Sequence, residues 1–534
     1  MANLSQMKAK YISYQDTHSF SKLVLDYVND EEFLKSFYSF RPDMDGLKKA
    51  VDARNFKGNR SVLVDVLNDQ YQHIKTNKSV KHNINLLADP NTFTITTGHQ
   101  LNLFTGPLYF IYKIVTTINL ALELKIAHPE KNFVPIYWMA TEDHDFEEIN
   151  HVSVDEKNIS WIQKTNGATG RLSTKTVAAA VLAYKGYLGI SKNGKKLAKL
   201  VENAYLHNDN LADATRVLVN SLFEHYGLVI INADDHKLKE QFAEIIAQDI
   251  TEQNSAHLTE ITSSSLTDNG YKTQVNGREI NFFYLIDNLR ERIIEKDNRF
   301  AVNNSEISFT KEELLTEINN YPERFSPNVI MRPLYQEVIL PNIAYIGGGA
   351  EVSYWMQLKA NFDFYKIDLP VLLLRNSALV IDERSATNLT RLGFTLEDAF
   401  LPTTTLQNMW IKKNSGTKLS LDKEIQAINS IFEETETKAE TIDRTLGISA
   451  ESAKVKTHRL LINLEKKLLR AEKRKHTVSL TQIENVKNRL FPSGTLQERT
   501  MNIAPMYVNY GEDFLSSCIE NFQPLGGDFT ILLP

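Results

Sequence analysis

The sequence has very little cysteine, no long apolar run and no strong excess of charge of either sign. Cys518 is the one cysteine among 534 residues, which excludes an intramolecular disulfide and a zinc site built from several cysteines. A single thiol is typical of a chain in a reducing compartment, and Cys518 is interpreted as a small buried residue rather than a nucleophile. The net charge of −6 argues against a dedicated nucleic-acid binder, which usually carries a basic excess.

Segments that would direct the chain into or across a membrane are also missing. No stretch approaches the roughly 20 consecutive apolar residues that a membrane-spanning helix needs. The first residues, Met1–Gln6, lack the basic start and the apolar run of a secretory signal. A cytoplasmic location is therefore expected. Because 534 residues are too many for one hydrophobic core, two or more packing units are predicted.

Strand-like and helix-like segments alternate through the middle of the chain. The strand runs are 92–97, 133–140, 228–232, 343–346 and 371–374. Gly106-Pro107 opens a long apolar helix, since proline is favoured in a first helical turn. This alternation predicts an α/β fold with a Rossmann-type parallel-sheet core covered on both faces. Two stretches interrupt it, near 152–190 and 262–305, and are interpreted as insertions, the second of them a β-meander.

The predicted organisation has four parts. They are an N-terminal helical segment packed on the core (1–90), the nucleotide-binding core with its insertions (91–400), a coiled-coil arm (401–495) and a C-terminal segment that returns to the core (496–534). In the arm, apolar residues recur in alternating steps of three and four, which predicts an antiparallel coiled-coil hairpin. Gly447 is expected to break the first helix and Ser449 to cap the second. The alternative is two ordinary amphipathic helices packed on the core.

The first candidate site follows the strand run 92–97. Gly98, His99 and Gln100 come at its end, and Gly106 precedes the long helix. A glycine turn and a helix N-terminus present backbone N–H groups to an anion, and His99 and Gln100 would add donors to a phosphate or a developing oxyanion. The alternative is a tight turn whose histidine satisfies local backbone groups. The site lies where open α/β sheets bind ligands, beyond the carboxyl end of a strand.

The second candidate follows the next strand run. Glu142, Asp143, His144 and Asp145 are consecutive, and Thr141 is predicted to cap a helix that has the acidic residues in its first turn. Recognition of an amine or of ribose hydroxyls, general-base work and simple charge compensation of the helix all stay open. A metal site is not favoured, because adjacent helical residues do not face one direction.

The third candidate follows the strand run 343–346. Gly347, Gly348 and Gly349 would let a ligand approach the backbone closely, and Glu351 begins a helix. Tyr354 and Trp355, one turn later, either flank an adenine or pack in the core. Upstream, Arg332 is a candidate clamp for a carboxylate or phosphate, although a surface salt bridge is the alternative for any one arginine.

Taken together, these blocks resemble a known family, the cysteine-adding ligases of bacillithiol biosynthesis (BshC). The resemblance spans nearly the whole chain, in order. It rests on the segments 97–100, 104–109 with Tyr109, Lys113, 142–146, 148–151, 326–329, 332–334, 344–348, Glu351, 354–355, 358–359 and 496–499.

The resemblance implies a Rossmann core with two connecting-peptide insertions, a C-terminal coiled-coil arm and a homodimer. It also implies an ATP-dependent ligase that adds L-cysteine to glucosaminyl-malate, with ATP, alone or together with magnesium, as the nucleotide and no tightly bound cofactor. Within it, His99, Gln100, Asp143 and Asp145 are the expected catalytic residues. The expected substrate- and nucleotide-binding residues are Gly98, Gly106, Tyr109, Lys113, Glu142, His144, Arg332, Gly347, Gly348, Gly349, Glu351, Tyr354 and Trp355. The alternative function is a nucleotidyltransferase-like binding module whose arm docks a protein or a tRNA.

Overall fold

The computed structural model describes residues 7–155, 157–416 and 419–534, and these form two compact units. The first unit comprises residues up to 15, residues 19–380 and residues 496–534. The second comprises residues 16–18 and 381–495. The predicted arm began at 401, twenty residues later than this second unit. Within the described ranges, no helix has both the length and the apolar character needed to span a lipid bilayer.

All the described strands belong to the first unit. In chain order they are β1 Lys8–Ser13, β2 Thr92–His99, β3 Asn132–Met139, β4 His151–Val154, β5 Lys157–Ser160, β6 Val229–Asn232, β7 Phe282–Ile286, β8 Leu289–Lys296, β9 Arg299–Val302, β10 Ser308–Phe309, β11 Phe325–Pro327, β12 Asn342–Gly347, β13 Val371–Leu374, β14 Ala378–Val380 and β15 Asp528–Leu533.

The described residues form 24 α-helices. The first part of the chain has α1 Lys22–Val28, α2 Met44–Ala53, α3 Arg60–Tyr71, α4 Lys78–Leu86, α5 Tyr109–Ala127, α6 Phe146–Ile149, α7 Ala178–Leu188, α8 Lys192–Leu206, α9 Leu211–Phe223, α10 His236–Glu240, α11 Ala243–Glu252 and α12 Asn254–Asp268. The rest are α13 Lys311–Asn320, α14 Met331–Ile339, α15 Gly349–Gln357, α16 Lys359–Phe364, α17 Glu383–Leu392, α18 Thr403–Asn414, α19 Asp422–Ile442, α20 Arg444–Lys475, α21 Thr477–Leu490, α22 Gln497–Thr500, α23 Ala504–Tyr510 and α24 Glu512–Asn521.

A five-stranded sheet forms the centre of the first unit. Its strand order is β13-β12-β2-β3-β6, and every neighbouring pair is parallel. Strands buried on both faces have apolar and β-branched residues throughout, and seven of the eight residues of β2 are buried. Leu47 and Val51 of α2 and Leu120 and Leu124 of α5 pack with the sheet in one hydrophobic core. The predicted Rossmann-type α/β core is confirmed.

Two further sets of strands, one of two strands and one of five, interrupt the alternation of the central sheet. The antiparallel pair β4-β5 follows β3, and the antiparallel set β10-β9-β8-β7-β11 lies between β6 and β12 in the chain. The strands β7, β8 and β9 are the meander that the sequence predicted. A third sheet, β1-β15-β14, joins the two ends of the chain, because β15 pairs with β1 and with β14.

The second unit is entirely helical in its described residues. Helices α19 and α20 form the predicted hairpin, and the ion pair between Lys454 and Glu433, 3.7 Å apart, spans it. The turn lies at Asp443, whose side chain accepts a hydrogen bond from the backbone N–H of Thr445 at 2.7 Å. The predicted break at Gly447 and cap at Ser449 are wrong. Aspartate caps a helix N-terminus well, so the second helix begins three residues before the glycine.

Candidate active site

A cavity of about 1050 Å³ lies in the first unit at one edge of the central sheet. Its lining includes the carboxyl ends of neighbouring strands or the residues just after them: Gly98 and His99 of β2, 139–144 after β3, 348–351 after β12, and Arg375 after β13. Parallel strands end at the same edge, which is where open α/β sheets bind ligands. The three candidate sites of the sequence therefore meet in one cavity.

Most of the predicted site residues line this cavity. They are Gly98, His99, Gln100, Tyr109, Glu142, Asp143, His144, Arg332, Gly348, Gly349, Glu351 and Tyr354. Lys113 does not line the cavity, although it contacts residues that do. Gly106, Asp145, Gly347 and Trp355 do not line it either.

For three of the predicted residues that do not line the cavity, the structure shows a structural role instead. Trp355 is fully buried and stacks on Tyr345 with ring centroids 4.1 Å apart, so the core interpretation describes it and the adenine-flanking one does not. Gly106 has φ +61°, and its carbonyl accepts a hydrogen bond from Asn502 Nδ2 at 2.6 Å, which makes it part of a turn. Gly347 is the buried last residue of β12.

Asp145 caps a helix in place of Thr141. The helix α6 begins only at Phe146, and the Asp145 carboxylate accepts a hydrogen bond from the backbone N–H of Glu148 at 3.3 Å. The Thr141 hydroxyl instead donates to Asn232. The predicted helix start at Thr141 is wrong, because residues 141–145 form a turn that leaves Glu142, Asp143 and His144 facing the cavity.

The loop after β12 is held by an ion pair beneath it. Lys113 is 1% exposed, and its Nζ lies 2.7 and 2.8 Å from the two carboxylate oxygens of Glu351 and also donates to the Gly98 carbonyl. Glu351 accepts further hydrogen bonds from the Tyr345 hydroxyl and the Gly348 N–H, both at 2.8 Å. Each charge is matched by the other, so this pair fixes the glycine loop and Gly98 rather than offering a free charge.

Burial and this ion pair act in opposite directions on the pKa values of the two groups. Burial lowers the pKa of Lys113, although the Glu351 carboxylate raises it in part. Burial raises the pKa of Glu351, but the charge and hydrogen bonds of Lys113 outweigh burial and leave that pKa below its usual range. Glu351 is therefore charged at neutral pH.

Around this pair lies the glycine-loop end of the cavity, defined here by His99, Arg332 and Arg375. His99 Nε2, Arg332 Nη2 and Arg375 Nε are all buried and have no hydrogen-bond partner among the described residues. Buried polar groups without partners are costly and uncommon in folded proteins. The two guanidinium nitrogens can only donate, so they indicate a place for an acceptor that the protein does not itself supply, whereas His99 Nε2 can donate or accept according to its tautomer.

The charge state of this end is set by burial. Burial, with the charges of Lys113 and Arg375, lowers the pKa of His99 to about 3, so its ring is neutral at pH 7. The guanidinium carbon of Arg332 lies 5.7–5.8 Å from the ring centroids of Trp138, Tyr345 and Trp355. Aromatic faces stabilise a cation without occupying its N–H groups. The end thus offers two guanidinium groups and one neutral imidazole.

A second group of residues in the cavity is called here the meander end. It is defined by Gln100, Asp143, His144 and Arg290. Asp143 accepts hydrogen bonds from Gln100 Nε2 and from the His144 backbone N–H, both at 2.7 Å. Arg290 Nη1 is 2.8 Å from His144 Nδ1, and its guanidinium lies 3.9 Å from the Phe283 ring centroid. Burial acts to raise the pKa of Asp143, but hydrogen bonds from His144 and Gln100 and the Arg290 charge bring it well below its usual range. Asp143 is therefore a charged acceptor at neutral pH.

Glu142 differs from its neighbour, although it also lines the cavity. It forms a buried ion pair with Lys239, whose Nζ also donates to the Phe325 carbonyl at 3.1 Å. Burial raises the pKa of Glu142, and the Lys239 charge offsets this only in part. Its carboxylate is thus already matched by a protein cation, and Asp143 is the better acceptor for a ligand amine.

The charged cavity residues that were missed from the sequence are all arginines: Arg278, Arg290, Arg292, Arg375 and Arg499. Arg375 could have been found, because it directly follows β13 at the carboxyl edge of the sheet. Arg290 and Arg292 alternate along β8 and so share one face of the meander. Their sequence pattern carries no signal that this face meets the cavity.

Two family models match the chain almost end to end. Residues 7–376 match the N-terminal Rossmann-like domain of bacillithiol biosynthesis BshC, and residues 378–533 match its C-terminal coiled-coil domain. Three relatives named "Putative cysteine ligase BshC" are similar over 98% of this chain. The relatives from Flavobacterium psychrophilum, Flavobacterium johnsoniae and Christiangramia forsetii are 46%, 45% and 41% identical, and the matches cover 99%, 100% and 99% of their lengths. On this fold, this cavity and these full-length matches, the chain belongs to the BshC family of bacillithiol biosynthesis.

Proposed function

We propose that this protein is a cytoplasmic, ATP-dependent ligase that joins the carboxyl group of L-cysteine to the amine of glucosaminyl-malate. The name of its relatives supports a cysteine ligase. The observation that carries the proposal is a single cavity with unpaired buried cationic donors at the glycine-loop end and a charged carboxylate, Asp143, at the meander end. Amide formation needs an activated carboxyl group, a neutral amine and a stabilised oxyanion, held close together.

The glycine-loop end is suited to anionic groups of the substrates. Arg332 is proposed to hold a carboxylate of the malate half, because burying that charge without a paired cation would be costly. His99 acts there as a neutral hydrogen-bond partner, since its low pKa leaves no proton to give as an acid at pH 7. The backbone of the glycine loop and Arg375 are proposed to contact phosphate or carboxylate oxygens of ATP and cysteine.

The meander end is suited to the amine. Asp143 is proposed to accept a hydrogen bond from the amine of the acceptor and so to orient it towards the activated carboxyl group, since its lowered pKa makes it a strong charge partner but a weak proton acceptor. Gln100 donates to Asp143 and, at 2.9 Å, to Glu148, so its role is to orient the carboxylate rather than to contact a phosphate. Asp145 is a helix cap and is left out of the proposed chemistry.

The proposal is tested by incubating the purified chain with L-cysteine, ATP and glucosaminyl-malate and measuring the products by mass spectrometry. We expect a new thiol product that contains cysteine, glucosamine and malate, with one ATP consumed for each amide bond formed. Omitting any one substrate should abolish it, and the released nucleotide, AMP or ADP, identifies how cysteine is activated. A purified, folded chain that forms no thiol product with all three substrates would contradict the proposal.

We also propose a homodimer formed through the helical hairpin. In α19 and α20, several apolar side chains are exposed: Ile431, Ile442, Ile448 and Leu460 are 61%, 79%, 73% and 68% exposed. Helices stabilise such residues by packing them against another helix. Replacing residues 423–490 with a short glycine linker should give a monomer by sedimentation velocity. A dimer that survives this truncation would place the interface elsewhere.

A further inference from the structure

The Arg332 guanidinium is hydrogen-bonded to a buried side chain of its own helix. One turn later on the same helix, α14, the fully buried Gln336 accepts a hydrogen bond from Arg332 Nη1 through its Oε1 at 3.0 Å. Arg332 Nη2 has no hydrogen-bond partner within 3.5 Å among the described residues, although, despite burial, the Tyr354 side chain is near enough to raise the pKa of the guanidinium. The amide thus occupies one guanidinium nitrogen and leaves the other for a ligand.

The orientation of this amide is determined by its other neighbour. Gln336 Nε2 donates to Glu337 Oε1 at 2.9 Å. If the amide were turned over, its oxygen would face the Glu337 carboxylate and its NH₂ group would face the Arg332 guanidinium. Both contacts would then be repulsive. A guanidinium only donates. Burial raises the pKa of Glu337 to about 7, but its Oε1 already accepts a hydrogen bond from Asn342 Nδ2, so a proton would sit on Oε2 and Oε1 stays an acceptor. Glu337 therefore compels Gln336 to present its oxygen to Arg332.

The Glu337 side chain is contacted by a residue of the central sheet and by a residue at the end of α2. Asn342 Nδ2 donates to the same Oε1 at 2.8 Å, and Arg54 Nη2 lies 3.0 Å from Oε2. The hydroxyls of Thr94 and Thr96 donate to Asn342 Oδ1 at 3.2 and 2.8 Å. Gln336, Glu337, Asn342, Thr94 and Thr96 are at most 2% exposed. Glu337 Oε2 and Arg54 Nε have no hydrogen-bond partner among the described residues, so the contact of Arg54 Nη2 with Oε2 is an ion pair alone. The hydrogen-bonded part of the network, from the two threonines through Asn342 and Glu337 Oε1 to Gln336, fixes the amide that contacts Arg332.

We infer that Gln336 is a positioning residue for ligand recognition: it holds the Arg332 guanidinium in one orientation and thereby sets the affinity for the acceptor carboxylate. This inference rests on the proposed function only in taking Arg332 as the residue that contacts the acceptor. Gln336 itself touches no substrate. Its effect should therefore disappear when Arg332 is absent.

The first test compares Gln336→Met with Asn361→Leu. Both replace a fully buried amide with an apolar side chain of similar size, but Asn361 donates to Thr259 at 2.8 Å and does not line the cavity. We expect Gln336→Met to raise the KM for glucosaminyl-malate about tenfold, the size of one hydrogen bond to a charged group, with kcat and the KM values for cysteine and ATP within about twofold. Asn361→Leu should leave all four constants within about twofold.

A double-mutant cycle separates this inference from the proposed function. Arg332→Ala should raise the acceptor KM by more than Gln336→Met does, and in the Arg332→Ala background Gln336→Met should add less than about twofold. If Arg332→Ala leaves the acceptor KM unchanged, Arg332 is not the clamp and the proposed assignment fails. If Arg332→Ala has its effect but Gln336→Met has none, or if the two effects multiply, the positioning inference is overturned.

Two further measurements cover the case in which Gln336→Met does not fold or the assay gives no product. Gln336→Asn withdraws the amide by one methylene group while keeping a polar group in the core, and it should raise the acceptor KM in the same direction. Calorimetric titration with L-malate needs no turnover, and we expect Gln336→Met or Gln336→Asn to weaken malate binding about tenfold while Asn361→Leu does not. Equal malate affinity in the folded Gln336 and Asn361 variants would overturn the inference.

Discussion

The two ends of the cavity solve the problem of buried charge in opposite ways. At the meander end the carboxylate of Asp143 is fully supplied with donors from Gln100 and His144. At the glycine-loop end, Arg332 and Arg375 each keep one buried nitrogen without an acceptor. Each such donor costs the fold roughly 1–3 kcal/mol. The difference teaches that the charge at the meander end is already stabilised by protein donors before the amine binds, whereas the buried cations at the glycine-loop end gain their missing acceptors only when an anionic group binds.

The largest expected effect concerns Arg375, which serves the fold as well as the cavity. Its Nη2 lies 2.7 Å from Glu498 Oε1, and both side chains are buried. Arg375→Met should lower the free energy of unfolding by about 3–5 kcal/mol, because it leaves the buried Glu498 charge without its partner. Urea denaturation measures this.

The double variant Arg375→Met with Glu498→Gln provides the control for that measurement. It removes both charges, so it should recover a large part of the lost stability. If the single variant is as stable as the parent chain, Arg375 has no structural role. The buried cations of the glycine-loop end would then serve ligand binding alone, unlike the charges of the meander end.

The second effect concerns turnover at the meander end. Asp143→Asn keeps the size and most of the hydrogen bonds of the side chain but removes its charge and its ability to accept a proton. We expect kcat to fall at least about 100-fold, in the range of a misplaced nucleophile, with little change in thermal stability. Steady-state kinetics with the three substrates provides the measurement.

Asp145→Asn is the matched control, two residues away. Asparagine caps helices as well as aspartate does, and Asp145 does not line the cavity, so both kcat and stability should stay close to those of the parent chain. Equal losses of turnover in the two variants would mean that general acidity of the segment, rather than Asp143, supports the reaction.

The smallest effect concerns His99 and depends on pH. Its folded-state pKa of about 3 lies below the usual value of 6.5, so the unfolded chain takes up a proton between these values and the folded chain does not. His99 therefore costs stability progressively as pH falls below 6.5, by about 2 kcal/mol at pH 5. His99→Gln should lose that much less stability than the parent chain between pH 7 and pH 5 in urea denaturation.

The same variant tests the neutral role of His99 in catalysis. Glutamine also offers a neutral donor, so the shape of the kcat profile between pH 6 and pH 9 should be unchanged. A limb of the profile that disappears in His99→Gln would show that His99 titrates in the working range. Its environment would then be less buried than the structure has it.

Local rules were sufficient where the chain's own neighbours decide its conformation. The β-branched run of β2, the Gly106-Pro107 start of α5 and the coiled-coil spacing of α19 and α20 are patterns of this kind. They led to the α/β core and to the hairpin. Where two nearby residues could each mark the end of a helix, the sequence patterns predicted the wrong one. Asp145 caps α6 in place of Thr141, and Asp443 rather than Gly447 marks the hairpin turn.

The sequence by itself determined which residues stand at the carboxyl ends of β2, β3 and β12, because strand and helix periodicity is written into each segment. Parallel pairing then brings those ends to one edge. Only the tertiary structure decided how the charges are matched: Lys113 with Glu351, Lys239 with Glu142, and Gln336 between Arg332 and Glu337. Only it placed Arg290 and Arg292 of the meander beside the cavity. These partners lie 1 to 238 positions apart in the chain. No local pattern encodes which of many possible ion pairs forms, since that choice depends on the burial and geometry that folding creates.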